Sequence, residues 1–232
     1  MPLKAILLDM DGVLVDVSGS FRRAITETVE HFVGTPPARG AIQAKKDAGG
    51  FNNDWVLSHT LVREAGVGAA FDDVKAHFQS LYTGADYDGL ITTEPPFIRT
   101  ETLATLADRY RLALVTGRPE ADAEWTLRRF GWDRLIPVVV GMHTQGDRGK
   151  PDPYGLRVAL DAIGAEPDAA LFAGDTVDDI RAATAAGCHA VGVVPPGHDV
   201  ESHRATLLAA GAETVLTSPD DLVGLADEIA RR

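Results

Sequence analysis

The stretch Lys4-Ala-Ile-Leu-Leu-Asp-Met-Asp-Gly-Val13 decides the fold of this chain. Its apolar part, Ala-Ile-Leu-Leu, does not alternate with polar residues, which predicts a short strand buried on both faces. Strands of this kind belong to parallel sheets that are covered by helices on both sides. The strand leads directly into Asp9 and Asp11, so acidic side chains stand where the predicted strand ends.

Similar units recur along the chain. Further apolar runs end in small or polar residues and alternate with helical patterns; they begin at Leu112, Val138, Ala169 and Ala190. This alternation predicts an α/β fold with a parallel sheet. Ligands of such sheets bind beyond the carboxyl ends of the strands. Three polar loops are therefore expected to meet at one edge, at Asp9, Thr116 and Asp175.

The segment from about residue 20 to residue 83 carries helical spacing and no convincing strand. The spacing predicts a first helix from Phe21 and further helices over 38–48, 53–65 and 70–82. A connector at 84–96, with two glycines and two prolines, closes the segment. We therefore expect a sheet-bearing core of residues 1–18 and 97–232 and an α-helical cap of residues 19–96. The alternative is one continuous domain in which the helical segment is a long insertion and not a separate cap.

Composition and charge exclude several classes of protein. Acidic residues outnumber basic ones by 34 to 22, giving a net charge of -12, which disfavours binding to nucleic acid or to an anionic membrane. Cys188 is the single cysteine and cannot form an internal disulfide. The sequence has no run of about 18 uncharged apolar residues. We expect a cytoplasmic protein that does not cross a membrane.

Two acidic clusters follow two of the predicted strands. Asp9 and Asp11 form the first, and Asp175 and Asp179, four residues apart, can share one helical face in the second. Carboxylate oxygens without histidine or cysteine partners suit Mg²⁺. A hydrogen-bonded turn could explain the first pair, and helix capping could explain one acid of the second.

Two further loops carry residues suited to binding an anion. Thr116 supplies a hydroxyl group, and Gly117 permits close approach of the backbone. Lys150 stands in a rigid loop bounded by prolines, where an ammonium group can hold a phosphate oxygen. A strand-to-helix turn needs residues such as the first two in any case, and a solvated surface lysine is the alternative for the third.

Together these stretches resemble the four motifs of the haloacid dehalogenase superfamily, in the same order. They are Asp9-x-Asp11-Gly-Val, Thr116-Gly-Arg, Gly-Lys150-Pro-Asp-Pro and Gly-Asp175-x-x-x-Asp179. The resemblance covers the core and implies a Rossmann-like sheet with strand order near 3-2-1-4-5 and helices on both faces. The helical insertion is similar to the small cap of the phosphoglycolate phosphatase-like members. Mg²⁺ dependence and phosphoryl transfer through an aspartyl-phosphate are also implied.

The resemblance assigns a role to each matching residue. Asp9 would be the nucleophile, and Asp11 would protonate the leaving oxygen and then deprotonate water. Mg²⁺ would be held by Asp9, the backbone carbonyl of Asp11, Asp175 and Asp179, the last directly or through water. The residues expected to bind phosphate are Thr116, Gly117 and Lys150. Asp178 stands beside Asp179, and an exchange of the two remains open.

Four residues are candidates for recognising the substrate: Lys45, Asn53, Trp55 and Arg118. Lys45 could mimic the cap lysine of phosphonate-cleaving relatives, although a solvated helix face explains it as well. The loop that holds Asn53 and Trp55 could fold over a site, or it could be a turn with an asparagine cap and a buried tryptophan. Arg118 could meet a second anionic group or form a salt bridge.

We therefore expect a Mg²⁺-dependent phosphatase that acts on a small phosphorylated metabolite. Asp11 favours phosphate over halide, because a halide needs no protonated leaving group. A phosphomutase of the same superfamily is the nearest alternative, and a binding or regulatory protein that has lost turnover is another. A monomer or a homodimer is expected.

Overall fold

A computed structural model describes residues 2–48, 51 and 53–231 of the chain. The chain divides into two compact units. The helical unit is Val17–Pro95, and the sheet unit is built from the chain on either side of it. Within the described residues, no helix combines the length and the apolar character that crossing a membrane requires.

Four helices build the helical unit: α1 Phe21–Val33, α2 Ala41–Ala48, α3 Asp54–Glu64 and α4 Phe71–Tyr82. Gly34 ends α1 in the left-handed conformation, with φ 84°, as expected of glycine at this position. Helices α1, α3 and α4 pack against one another. The hydroxyl of Ser20 donates to the buried carboxylate of Glu94 over 2.6 Å, which joins the two ends of the unit.

The sheet unit holds a parallel sheet of six strands in the order β3-β2-β1-β4-β5-β6. The strands are β1 Ala5–Leu8, β2 Arg111–Val115, β3 Val138–Val140, β4 Ala170–Gly174, β5 His189–Val193 and β6 Thr214–Leu216. The predicted α/β class and the order near 3-2-1-4-5 are confirmed, and β6 extends the sheet at one edge.

Helices follow the strands of the sheet unit: α5 Thr100–Ala107, α6 Glu120–Phe130, α7 Met142–Gln145, α8 Tyr154–Ile163, α9 Val177–Ala186, α10 Val200–Ala210 and α11 Leu222–Ala230. Ala5 and Leu7 of β1 belong to the core formed with α8, α9 and α10. Ile6 and Leu8 are equally buried, and they point to the opposite face because side chains alternate along a strand. Strand β1 is therefore covered on both faces.

The register of the sheet brings its loops together at one edge. Leu8, the last residue of β1, lies opposite Leu114 of β2 and Ala173 of β4. The residues that follow these three parallel strands therefore emerge side by side. This edge receives Asp9 after β1 and Asp175 after β4.

Two adjacent leucines of α10 test the packing of the sheet unit. Leu207 is fully buried and Leu208 is 47% exposed. Leu207→Ala should lower the free energy of unfolding by about 2–5 kcal/mol, because it leaves a cavity in the core. Leu208→Ala should change it by less than about 0.5 kcal/mol. Urea denaturation of both variants measures this, and equal losses would contradict the assigned packing.

Candidate active site

Three aspartates converge at the carboxyl edge of the sheet. Asp9 follows β1, and its backbone N–H donates to the carbonyl of Ala173 in β4 over 2.9 Å. Asp175 follows β4, and Asp179 lies in the first turn of α9. One carboxylate oxygen from each of the three lies within 4.8 Å of the other two.

Two glycines leave room for these carboxylates. A Cβ atom on Gly12 would lie 2.5 Å from Oδ2 of Asp175, and Gly12 has the left-handed φ of 72° that glycine favours. A Cβ atom on Gly174 would lie 2.3 Å from the Cβ atom of Asp179. Any larger residue at either position would displace an acidic side chain of the cluster.

Asp179 has a capping role and also faces the cluster. Its Oδ2 accepts hydrogen bonds from the backbone N–H and the hydroxyl of Thr176, at 2.9 and 2.7 Å, in a capping box. Its Oδ1 lies 2.6 Å from the Nζ atom of Lys150. Asp178 is buried as well, but it does not belong to the three-carboxylate group.

Lys150 is the cation of the cluster. Its side chain is only 4% exposed, and Nζ lies 2.9 Å from Oδ1 of Asp9 and 2.6 Å from Oδ1 of Asp179. Nζ also donates to the carbonyl of Val115, the last residue of β2, over 3.3 Å. The ammonium group is thus fixed between the ends of the strands and is not a solvated surface group.

Burial changes the titration of this pair. It raises the pKa of Asp9 to about 7, with the negative charges of Asp179 and Asp11 adding to the effect and Lys150 opposing it. Burial by itself would lower the pKa of Lys150, but the charges of Asp179 and Asp9 raise it above its ordinary value. Lys150 therefore stays protonated while Asp9 is held short of full ionisation near neutral pH.

The charges of the site fit a divalent cation. When Asp9, Asp175 and Asp179 are ionised, the group carries three negative charges, and Lys150, which contacts Asp9 and Asp179, offsets one of them, which leaves an excess of two. Buried charges of one sign are costly unless a counter-charge accompanies them. Hard oxygen ligands of this kind match Mg²⁺.

Thr116 and Gly117 follow β2, directly after Val115, whose carbonyl accepts from Lys150. The hydroxyl of Thr116 accepts a hydrogen bond from the backbone N–H of Arg118 at 3.2 Å. The side-chain amide of Gln145 donates to the carbonyl of Thr116 over 2.7 Å and to that of Gly141 over 3.1 Å. Sequence reasoning missed Gln145, and no pattern distinguishes it from a surface glutamine.

Arg118 forms a salt bridge, one of the two possibilities that the sequence left open. Its side chain is 1% exposed, and Nη2 lies 2.5 Å from Oδ1 of Asp11. Nε donates to the same oxygen over 2.7 Å. The second motif therefore contacts the first through a buried guanidinium group.

A histidine pair supports the Asp175 loop. A ring nitrogen of His203, Nε2, lies 2.8 Å from the backbone carbonyl of Asp175, and the Nδ1 atoms of His203 and His198 lie 3.2 Å apart. A carbonyl oxygen only accepts hydrogen bonds, so Nε2 of His203 is the donor. The spacing of the two histidines gave no sign of this contact, because it depends on how the chain folds before α10.

The candidate substrate residues of the helical unit have partners within that unit. Lys45 lies 2.5 Å from a carboxylate oxygen of Glu64. Asn53 caps α3 by accepting from the backbone N–H of Trp55 at 3.0 Å, and the Trp55 indole donates to Gln79 over 3.1 Å. Other members of the same predicted loop lie outside the described residues; they are Gly49, Gly50 and Asn52.

Comparison with known proteins shows the relatives of this chain. A family model described as haloacid dehalogenase-like hydrolase matches residues 3–187. A phosphoglycolate phosphatase of Rhodospirillum rubrum is 31% identical over 229 residues, which cover 97% of this chain and 90% of that protein. Both matches extend over most of the chain.

Two further matches are to part of a longer protein and to a solved structure. A protein of Phytophthora nicotianae named imidazoleglycerol-phosphate dehydratase is 40% identical over 202 residues. These cover 84% of this chain and 44% of that protein, so the chain spans less than half of that relative. The crystal structure of a HAD family hydrolase of Deinococcus radiodurans, with bound phosphate and sodium, has a TM-score of 0.72 and 26% identity, and covers 98% of this chain and 96% of that one.

Gly12→Ala should weaken cation binding. The added Cβ atom would lie 2.5 Å from Oδ2 of Asp175, so the carboxylate must move. We expect the affinity for Mg²⁺ to fall by about 10–100-fold, as for changes that reorient a ligand. Isothermal titration calorimetry measures the affinity. Gly19→Ala is the matched control, because its Cβ would have no atom within 4 Å; equal affinities for the two variants would contradict the prediction.

The raised pKa of Asp9 predicts a pH dependence of the metal-free protein. Its pKa is 3.8 ordinarily and about 7 here, so the folded chain holds a proton in this interval that the unfolded chain has lost. The contribution of Asp9 to stability should therefore be lost as the pH rises from about 4 to about 7. Asp9→Asn should remove this part of the decline. Thermal unfolding in EDTA across this range tests it, and parallel curves for the two proteins would refute it.

Proposed function

This chain belongs to the haloacid dehalogenase-like hydrolases, and on that premise we propose that it is a Mg²⁺-dependent phosphatase acting on a small phosphate monoester. The observation that carries the proposal is the group of Asp9, Asp175 and Asp179, whose carboxylate oxygens lie within 4.8 Å of one another, together with buried Lys150, which contacts Asp9 and Asp179. Such a site combines a carboxylate nucleophile with the charges needed to bind a cation and a phosphate group.

The residues for the cation and the phosphate are distinct. The side chains of Asp9, Asp175 and Asp179 would hold Mg²⁺ together with the backbone carbonyl of Asp11. When bound, the ion supplies the positive charge that lets an anionic nucleophile meet an anionic phosphoryl group. The phosphate oxygens would be bound by Lys150, Thr116 and Gly117. A bound phosphate in the Deinococcus relative supports this class of ligand.

The reaction would proceed through a covalent intermediate on Asp9. An oxygen of its carboxylate bonds to phosphorus while the ester P–O bond breaks, and the electron pair of that bond goes to the leaving oxygen. Asp11 donates a proton to this oxygen and becomes a carboxylate. In the second step, water attacks phosphorus, Asp11 takes one of its protons, and the bond to Asp9 breaks.

The relatives narrow the substrates to be tested. The Rhodospirillum relative carries the name of an enzyme that acts on phosphoglycolate, a small acidic phosphate monoester. The name of the Phytophthora relative refers to imidazoleglycerol phosphate, which is also a phosphate monoester. We therefore propose small acidic phosphate esters as the first class of substrate and imidazole-bearing phosphate esters as the second.

Phosphate release measures the proposed activity. The wild type should release phosphate with Mg²⁺ from p-nitrophenyl phosphate and from at least one member of a panel of phosphate esters drawn from the two proposed classes, and EDTA should abolish the release. Asp9→Asn should lower turnover by at least about 10⁴-fold, because the amide cannot act as the nucleophile. Asp161→Asn, at an exposed position of α8, is the control and should leave turnover unchanged.

Three results would point elsewhere. Interconversion of glucose phosphate isomers without free phosphate would favour the phosphomutase alternative. No metal-dependent release on the whole panel would favour a binding protein without turnover. Normal rates for Asp9→Asn would remove Asp9 from its role.

A further inference from the structure

We propose that Arg118 is a positioning residue that holds the carboxyl group of Asp11 for proton transfer, with Oδ2 as the oxygen that carries the proton. The inference rests on the proposed function, because it assigns a residue to the same reaction. It changes the expectation for Arg118 from recognising the substrate to orienting the acid and base.

The contacts of Asp11 are one-sided. Nε and Nη2 of Arg118 both approach Oδ1, at 2.7 and 2.5 Å. In a bidentate arginine–carboxylate pair, each carboxylate oxygen would instead accept from a different nitrogen of the guanidinium. Among the residues that the structure describes, none donates a hydrogen bond to Oδ2 of Asp11, whereas Arg118 donates to Oδ1. One oxygen is thus held by the guanidinium, and the other is left for a proton.

Arg118 is itself held on the side away from Asp11. Its Nη1 donates to the hydroxyl of Thr126 in α6 over 3.2 Å, and that hydroxyl donates to the carbonyl of Asp122 over 3.1 Å. The backbone carbonyl of Arg118 accepts from the N–H of Met142 at 2.8 Å. The guanidinium is therefore anchored to α6, and the backbone of Arg118 is anchored to the start of α7.

Asp11 needs such an anchor because its side chain is 29% exposed, whereas the side chain of Arg118 is 1% exposed. An exposed carboxylate can adopt several rotamers, and a misplacement of about 1 Å in a reacting group can cost about 100-fold in rate. An exposed salt bridge would supply little order, but here the cation is buried and is also hydrogen-bonded to Thr126.

The proposal separates the two chemical steps. In the first, the ester P–O bond breaks and the leaving oxygen takes the proton from Oδ2 of Asp11. In the second, water bonds to phosphorus, its proton passes to Oδ2, and the bond between phosphorus and Asp9 breaks. A nitrophenolate leaves without a proton, so the first step needs Asp11 only when the leaving group is an alkoxide. The second step needs Asp11 with every substrate.

Stopped-flow and rapid-quench measurements on Arg118→Met can test this. With an alkyl phosphate from the panel, the first step should slow by about 100-fold. With p-nitrophenyl phosphate, the first step should keep its rate while the second slows. A burst of nitrophenolate equal to the enzyme concentration should then precede slow turnover. The control is Arg128→Met, an arginine with a 57% exposed side chain on α6, which should behave as the wild type.

Thr126→Val provides a second variant, in case loss of the buried charge prevents folding. It removes the hydroxyl that holds Nη1 and leaves the guanidinium, so it should show the same dependence on the leaving group with a smaller loss. Thermal unfolding monitors the fold of each variant. Equal slowing of the first step with both substrates, or no slowing with either, would overturn the role of Arg118 in an active enzyme. A wild type that releases no phosphate would overturn the proposed function and this inference with it.

Discussion

The crowding of negative charge at the carboxyl edge of the sheet is the constraint on which the site depends. Asp9, Asp175 and Asp179 bring their oxygens within 4.8 Å of one another, and Asp9 and Asp179 are buried. Repulsion between such groups is large where water is excluded. Lys150 offsets part of it from a buried position, and the remaining negative charge is of the sign that suits a cation. The same feature that costs stability in the metal-free protein prepares the site for its ligand.

The parallel sheet makes this crowding possible. Strands β1, β2 and β4 are neighbours in space although they are far apart in sequence. Their carboxyl ends bring together Asp9, Thr116 and Asp175 without any long side chain reaching across the molecule. Gly12 and Gly174 complete the arrangement by leaving space that a Cβ atom would fill. The fold thus supplies proximity, and small residues at two positions allow the close approach.

The features that could be predicted from sequence are those carried by local patterns. The buried run before Asp9 predicted the strand and the sheet, and the resemblance of the motifs predicted the family to which the chain belongs. The contacts of Arg118 with Asp11, Gln145 with Thr116 and His203 with Asp175 join positions 107, 29 and 28 residues apart. Such contacts follow from the packing of loops after the strands have formed. No local spacing encodes them, so a residue that supports the site is found only in three dimensions.

Asp9 and Asp11 show how surroundings distinguish two identical side chains. They are separated by one residue, yet Asp9 is buried against a lysine and Asp11 is partly exposed against an arginine. Lys150 is shared with Asp179 and lies between two carboxylates, as would suit the phosphate-binding role proposed for it. Arg118 contacts a single oxygen of Asp11 and leaves the other for chemistry. Because burial raises the pKa of Asp9 above its ordinary value, the proposed attack on phosphorus would need a bound cation to favour its carboxylate form. The counter-charges, rather than the acids themselves, therefore distinguish the two positions.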